Sequence, residues 1–201
     1  MGPAGQKLTR EAREAAFPDH LALDAPCCHP RLFKVALQRA GVRGLDRFPM
    51  VDRLCIYYRQ WRAALAAHLG VSRDEAKVEI IKMFYGARPA VQLPWLLQLS
   101  SEVRDGVSVV LADPAYATYR QLYGDRPSPD FGRMAAVLSA LEDEALMGLM
   151  DIVRRLAAPS SEVLLFDGAL VSAASFQQQA QVRLAVARAN KVSCVEFAIQ
   201  S

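Results

Sequence analysis

Cysteine is scarce in this 201-residue chain, and its four residues follow no pattern typical of disulfides. Two of them, Cys27 and Cys28, are neighbours, and no pair stands in a CxxC arrangement. Adjacent cysteines also lack the spacing that tetrahedral zinc ligation uses. The sequence therefore predicts reduced thiols, as in an intracellular protein, and argues against a zinc centre.

Long apolar runs are also missing. No stretch of 18 uncharged apolar residues occurs, and the first residues carry no apolar segment of the secretory type. These absences predict that the protein has no membrane partner. Apolar residues still make up 52% of the chain and charged residues 22%, which allows a packed core and argues against disorder.

Charge is nearly balanced overall but unevenly distributed. Residues 31–88 contain 12 Lys and Arg against 5 Asp and Glu, a net charge of +7, which leaves −4 for the rest of a chain whose total is +3. A basic region beside an acidic remainder is typical of proteins that bind nucleic acid. Within it, Arg53, Arg59 and Arg62 lie mostly off the apolar side of a predicted helix, where they would be available to phosphates.

Apolar periodicity, with proline and glycine at the boundaries, predicts an α+β fold with a small antiparallel sheet and a mainly helical subdomain. The predicted helices are 30–40, 49–68, 73–85, 93–112, 133–157 and 175–189, with a short charged helix at 9–17 and one helical turn near 116–122. The predicted strands are 21–24, 163–166, 169–173 and 192–199.

The helix predicted at 73–85 has a signal at each end. Ser72 suits the N-cap position, and Glu75 three residues later completes a capping box. Gly86 stands where a glycine ends a helix, and Pro89 prevents the helix from resuming. We therefore expect a short helix with well-defined ends.

Four side chains of this helix are spaced four residues apart: Arg73, Lys77, Ile81 and Tyr85. Residues at this spacing lie along one side of a helix. The two cations would hold phosphates, and the apolar and aromatic residues would contact base and sugar. The alternative is an ordinary surface helix whose Lys and Arg are solvated.

Two aspartates lie at the ends of predicted strands. Asp24 follows the first apolar strand, and Asp167 precedes Gly168 in a hairpin signal between two apolar runs. Each is explained alone by turn chemistry. A sheet built from these strands would place the two carboxylates side by side, where they repel unless a divalent cation lies between them.

In this order, the residues resemble motifs A, B and C of the family A DNA polymerases, the bacterial repair and phage replicative type. Motif A would be the strand ending at Asp24, and motif C the apolar run ending at Asp167. Motif B would be Arg73-x-x-x-Lys77 with Tyr85-Gly86, which is the most specific part. The resemblance covers about residues 20–200.

The resemblance implies a template-dependent nucleotidyltransferase that uses two Mg²⁺ ions held by Asp24 and Asp167, with Lys77 as a further catalytic residue. Arg73 and Lys77 would bind the incoming triphosphate. The implied partners are a DNA primer–template and dNTPs. The implied single domain has a palm at about 18–30 and 133–201, fingers at about 31–112 and a linker at 113–132.

By the same resemblance, three residues form the sugar and base pocket. Ile81 would lie against base and sugar, Tyr85 would close the pocket, and His29 would stand where the family has a glutamate that helps to exclude ribonucleotides. Because imidazole offers other hydrogen-bonding choices, we expect weak discrimination between ribonucleotides and deoxyribonucleotides. In the alternative, His29 packs against the following helix and does not contact the sugar.

Motif C departs from the family pattern, with Phe166 before the aspartate in place of His and Gly168 after it in place of Glu. These forms look closer to short, divergent homologues in large DNA viruses and protists. The chain also has no room for a full thumb, so an additional subunit or a missing segment would supply one. A non-catalytic nucleic-acid-binding or protein-interaction module that keeps the polymerase fold is the alternative function.

Overall fold

The computed structural model describes residues 15–122, 129–165, 168–193 and 195–200 of the chain. The helices in these residues are α1 (Cys28–Arg39), α2 (Pro49–Leu69), α3 (Arg73–Phe84), α4 (Pro94–Ala112), the 3₁₀ helix Pro114–Gln121, α5 (Pro129–Ala157) and α6 (Phe176–Val192). The strands are β1 (His20–Asp24), β2 (Glu162–Leu164), β3 (Gly168–Ser172) and β4 (Ala198–Gln200).

The four strands form one antiparallel sheet in the order β2-β3-β1-β4. β3 is buried along its whole length, and it pairs with β1 in a register that runs from His20 opposite Ser172 to Asp24 opposite Gly168. Continuous burial is typical of an inner strand, and β3 lies between β2 and β1 in the sheet. The predicted α+β fold with a small antiparallel sheet is therefore confirmed.

The chain divides into two compact units. The first comprises the described parts of Met1–Cys28 and Leu141–Ser201, and it contains the sheet, α6 and most of α5. The second is His29–Ala140, which contains α2, α3, α4 and the 3₁₀ helix. Whether these units correspond to a palm and fingers stays a prediction.

Among the described residues, no helix has the length and apolar character that a membrane crossing needs.

Aromatic rings form part of the core of the second unit. Phe33 of α1 and Phe84 of α3 are both fully buried, with their ring centroids 5.4 Å apart in an edge-to-face arrangement. α4 passes through Gly106 without a break, and the Phe33 ring fills the space where a side chain at Gly106 would lie. A Cβ on Gly106 would come 2.6 Å from the Phe33 ring. This glycine allows close packing of α1 against α4.

The last strand was predicted at 192–199, and a last strand is found, but its predicted start is wrong. Helix α6 continues to Val192, and only Ala198–Gln200 joins the sheet. The side chain of Asn190 explains the difference, since it donates to the Phe197 carbonyl at 2.8 Å and accepts from the Phe197 amide at 2.7 Å. Both backbone groups that Phe197 would offer to a neighbouring strand are therefore occupied by one side chain.

The other predicted elements are found with boundaries shifted by a few residues. The helical turn predicted near 116–122 is the 3₁₀ helix, and the helix predicted at 133–157 begins earlier, at Pro129. Proline at a first helical position loses no hydrogen bond, so it can begin a helix as well as interrupt one. Most of the predicted helix at 9–17 lies outside the described residues.

A buried carboxylate holds the beginning of α2. Glu102 of α4 is only 6% exposed, and its Oε2 accepts hydrogen bonds from the amides of Met50 at 2.8 Å and Val51 at 3.0 Å. Its other oxygen accepts from Gln98 at 2.9 Å. Desolvation raises the pKa of Glu102 above its usual value, although these hydrogen bonds act in the opposite direction. Glu102 thus connects α4 to the first turn of α2, where the helix dipole favours an acceptor.

We predict that Glu102→Ala lowers the free energy of unfolding by about 1–3 kcal/mol, because two backbone amides lose their buried acceptor. Urea denaturation of both proteins measures this difference. Asp105→Ala, an exposed change on the same helix, is the matched control and should cost less than about 0.5 kcal/mol. Equal losses in the two variants would contradict a capping role for Glu102.

Candidate functional site

Asp24 is the last residue of β1 and is half-buried. The chain then turns sharply within three residues, and Cys27 takes a left-handed conformation with φ of 59° before α1 begins at Cys28. A non-glycine residue rarely adopts this conformation, because it costs conformational energy that the surrounding structure has to offset. The turn leaves Asp24 at an end of the sheet, beside the position where β3 begins.

Gly168 lies directly opposite Asp24 in the β1–β3 pairing. A Cβ on Gly168 would lie 2.0 Å from the backbone oxygen of Leu23 and 3.4 Å from the Cα of Asp24. Backbone atoms of a paired strand cannot move aside as a side chain can. Glycine is therefore required here by the close approach of β3 to β1, and this accounts physically for the glycine after Asp167.

Phe166 and Asp167 lie outside the described residues, so the proximity of Asp167 to Asp24 stays a prediction. The neighbouring chain is described on both sides of them. The Leu165 amide donates to the Gly168 carbonyl at 2.9 Å, and β2 pairs with β3 in antiparallel register. The predicted hairpin between these strands is confirmed, and the residue that follows Asp167 pairs with Asp24.

Helix α3 has the predicted caps. The Glu75 amide donates to the Ser72 hydroxyl at 3.2 Å, and the Ser72 amide donates to the Glu75 carboxylate at 2.8 Å. These hydrogen bonds lower the pKa of Glu75. At the other end, Gly86 has φ of +86°, and the Phe131 ring occupies the space beside its Cα. A side chain at this position would be strained and would also meet that ring.

The acidic side chains of α3 all have partners within their own unit. Asp74 accepts from Arg62 of α2, and Glu79 accepts from Lys82 at 2.6 Å. Glu75 is held in the capping box. Each of these three carboxylates thus has a hydrogen-bond partner other than Arg73 and Lys77.

The cations predicted to bind phosphates are in a different situation. Arg73 is exposed and Lys77 is half-buried, and neither forms an ion pair with any residue that the structure describes. Because they are four residues apart on one helix, their positive charges reinforce each other along one side. This side of α3 is suited to bind an anion with several negative charges.

The structure brings together two residues of the predicted sugar pocket. The Tyr85 hydroxyl and His29 Nε2 are 2.6 Å apart, and the two rings meet edge to face with centroids 5.5 Å apart. Tyr85 is 43% exposed, and Ile81, one turn before it, is half-buried. The sequence resemblance put His29 and Tyr85 at one site although they are 56 residues apart.

The three arginines predicted to contact nucleic acid differ in their surroundings. Arg53 and Arg59 are exposed, whereas Arg62 donates to the Arg73 carbonyl and to Asp74 and so fixes the first turn of α3 against α2. Tyr57 of the same helix is 50% exposed, at a point where the backbone departs from helical geometry. No signal in the sequence marks that distortion.

The donor chemistry of Asp24 suits a hard cation such as Mg²⁺, which prefers carboxylate oxygens. Its position at a strand end beside Gly168 leaves the carboxylate partly accessible. Asp24 belongs to the first unit, and Arg73 and Lys77 belong to the second.

Comparison of the chain with protein-family models, curated proteins and solved structures finds no match.

We predict that Gly168→Ala destabilises the protein by at least about 2 kcal/mol, because the added methyl group overlaps the Leu23 backbone. Urea denaturation measures the change. Gly148→Ala is the matched control, since a Cβ on Gly148 meets no atom within 4 Å and a helical alanine is favoured by about 1 kcal/mol. A Gly168→Ala protein as stable as the wild type would refute the close approach of β3 to β1.

Proposed function

We propose that the protein catalyses template-dependent nucleotidyl transfer in the manner of a DNA polymerase, with the sheet as a palm and the helices of the second unit as fingers. The observation that carries this proposal is that Arg73 and Lys77 form no ion pair with any residue that the structure describes, on a helix whose acidic side chains all have other partners. A triphosphate would supply negative charge beside these two cations.

Asp24 and Asp167 are the residues that would hold two Mg²⁺ ions. These ions would supply charge stabilisation for the attacking and leaving oxygens. The protein's part is to fix the two carboxylates, and the β1–β3 pairing provides a rigid support for Asp24. Side chains held on paired strands lose little freedom when a ligand binds, so their geometry is set before reaction.

Arg73 and Lys77 would bind the phosphates of the incoming nucleotide, and Ile81 and Tyr85 would contact its base and sugar. The hydrogen bond between His29 and Tyr85 gives the phenol a fixed position. In this proposal His29 positions Tyr85, and weak sugar discrimination remains the expectation because imidazole offers other hydrogen-bonding choices than the family's glutamate.

Arg53 and Arg59 would contact the phosphates of a DNA primer–template. Both are exposed on α2 and neither forms an ion pair with a described residue. Arg62 is engaged at the start of α3 and would contribute to the shape of the site more than to phosphate binding. Tyr57 adds an exposed aromatic ring to the same helix, and bases stack on such rings without sequence preference.

The alternative function is a non-catalytic module that binds nucleic acid or a protein. One observation favours it: Gly168, where the family has a glutamate, is explained by strand packing and removes one carboxylate from the predicted metal site. In this alternative the fold and the basic helix face are kept, while nucleotide incorporation is lost. Primer extension separates the two functions, because only the first extends a primer.

We predict that Lys77→Ala weakens dNTP binding by about tenfold or more, because a charge-assisted hydrogen bond to phosphate is lost. Lys82→Ala is the matched control, since Lys82 lies on the same helix but off this stripe and pairs with Glu79. Fluorescence titration with a labelled dNTP, followed by primer extension in Mg²⁺, measures binding and incorporation. Equal effects of the two changes would contradict the proposed phosphate site.

A further inference from the structure

A cavity of about 320 Å³ lies on α4, in the second unit, and none of its lining residues was given a binding or catalytic role above. One wall is a face of α4, formed by Leu97, Ser100, Ser101 and Arg104, and the other is the segment that precedes this helix. The α4 residues are spaced three and four apart, so they share one side of the helix. The volume is at the lower end of the range for small-molecule sites.

The cavity is lined by cations and hydrogen-bond donors. Arg88, from the segment before α4, and Arg104 both line it, together with the two serines and Gln92, and none of its lining residues is a carboxylate. Neither arginine forms an ion pair with a residue in the described part of the chain. By contrast, Arg62 and Arg133, in the same unit, each bind an aspartate. Two arginines that have no counter-ion among the described residues therefore border one concave site.

The chemistry of the lining selects the kind of ligand. Two guanidinium groups balance a dianion, and their planar donor geometry matches the oxygens of a phosphate. A phosphate monoester carries close to two negative charges at neutral pH and has three strong acceptor oxygens. Serine hydroxyls add further donors, and Ser100 is almost completely buried. Both arginines are exposed, and a neutral or cationic ligand would form no ion pair with either of them.

The apolar part of the lining indicates that the ligand is more than inorganic phosphate. Leu97 is 41% exposed and lines the cavity with Pro89. An organic group attached to the phosphate would cover this apolar surface and add to the affinity. We propose that this cavity binds a phosphate monoester, with Arg88 and Arg104 on the phosphate and Leu97 and Pro89 against the organic portion.

This site shares no residue with the proposed nucleotide site on α3. A phosphate monoester has two sources with the same chemistry, a free nucleotide and the 5′-phosphorylated end of a nucleic acid. Thymidine 5′-monophosphate represents the first source. A 5′-phosphorylated oligothymidylate represents the second, and the same oligonucleotide without its phosphate is its reference. Thymidine and inorganic phosphate separate the contributions of the two halves of the ligand.

Isothermal titration of the full chain with these probes tests the proposal. We expect Arg88→Gln and Arg104→Gln each to weaken binding of a phosphorylated probe by about tenfold or more. Arg183→Gln, which removes an exposed arginine in the other unit, should leave it unchanged. Ser101→Trp, which fills the cavity while keeping both arginines, should also abolish binding, and thermal melting of each variant checks folding.

The outcomes are distinct. An effect of the arginine changes on thymidine 5′-monophosphate assigns the free nucleotide, and an effect confined to the 5′-phosphorylated oligonucleotide assigns a nucleic-acid end. The proposal is overturned if no phosphorylated probe binds at millimolar concentration, or if both arginine variants bind as the wild type does. Lys77→Ala should not alter binding here, so the failure of this site and the failure of the α3 site are separable.

Discussion

The candidate metal site depends on how closely β3 approaches β1. Gly168 lies against the backbone of Leu23, and any side chain there would push the strands apart. This contact sets the register in which Asp24 faces the first residue of β3. A one-residue slip would move every side chain of β3 to the opposite face of the sheet, and β3 is buried along its whole length. Packing therefore fixes the position of Asp24 independently of any ligand.

A second constraint is the distribution of charge on α3. Arg62 binds the first turn of this helix, Ser72 caps it, and Lys82 pairs with Glu79, so the carboxylates are used locally. Arg73 and Lys77 then face their surroundings without a counter-ion among the described residues. The local hydrogen bonds and ion pairs that stabilise the helix thus leave Arg73 and Lys77 available for the proposed binding of phosphates.

Local signals made the sheet, the hairpin and the ends of α3 predictable. Ser72 with Glu75 marks one helix end, and the Asp-Gly pair marks the hairpin, because each acts through residues a few positions away. The sequence did not predict the role of Glu102, whose amide partners lie about 50 residues away. The last strand was misplaced for a related reason, since the alternating pattern gives no sign that Asn190 binds both backbone groups of Phe197. Long-range partners of polar side chains depend on tertiary packing, which a periodic pattern does not record.

The central claim, that Asp24 and Asp167 share a divalent-cation site, is tested most directly by Mn²⁺ binding measured with electron paramagnetic resonance. The wild type, Asp24→Asn, Asp167→Asn and the double variant form a cycle, with exposed Asp143→Asn as the control. We predict that each single change weakens Mn²⁺ binding by about tenfold or more, and that the double variant is little worse than either, because one lost ligand already disables the site. Mn²⁺ binding that is absent from the wild type, or unchanged in both single variants, would contradict the account.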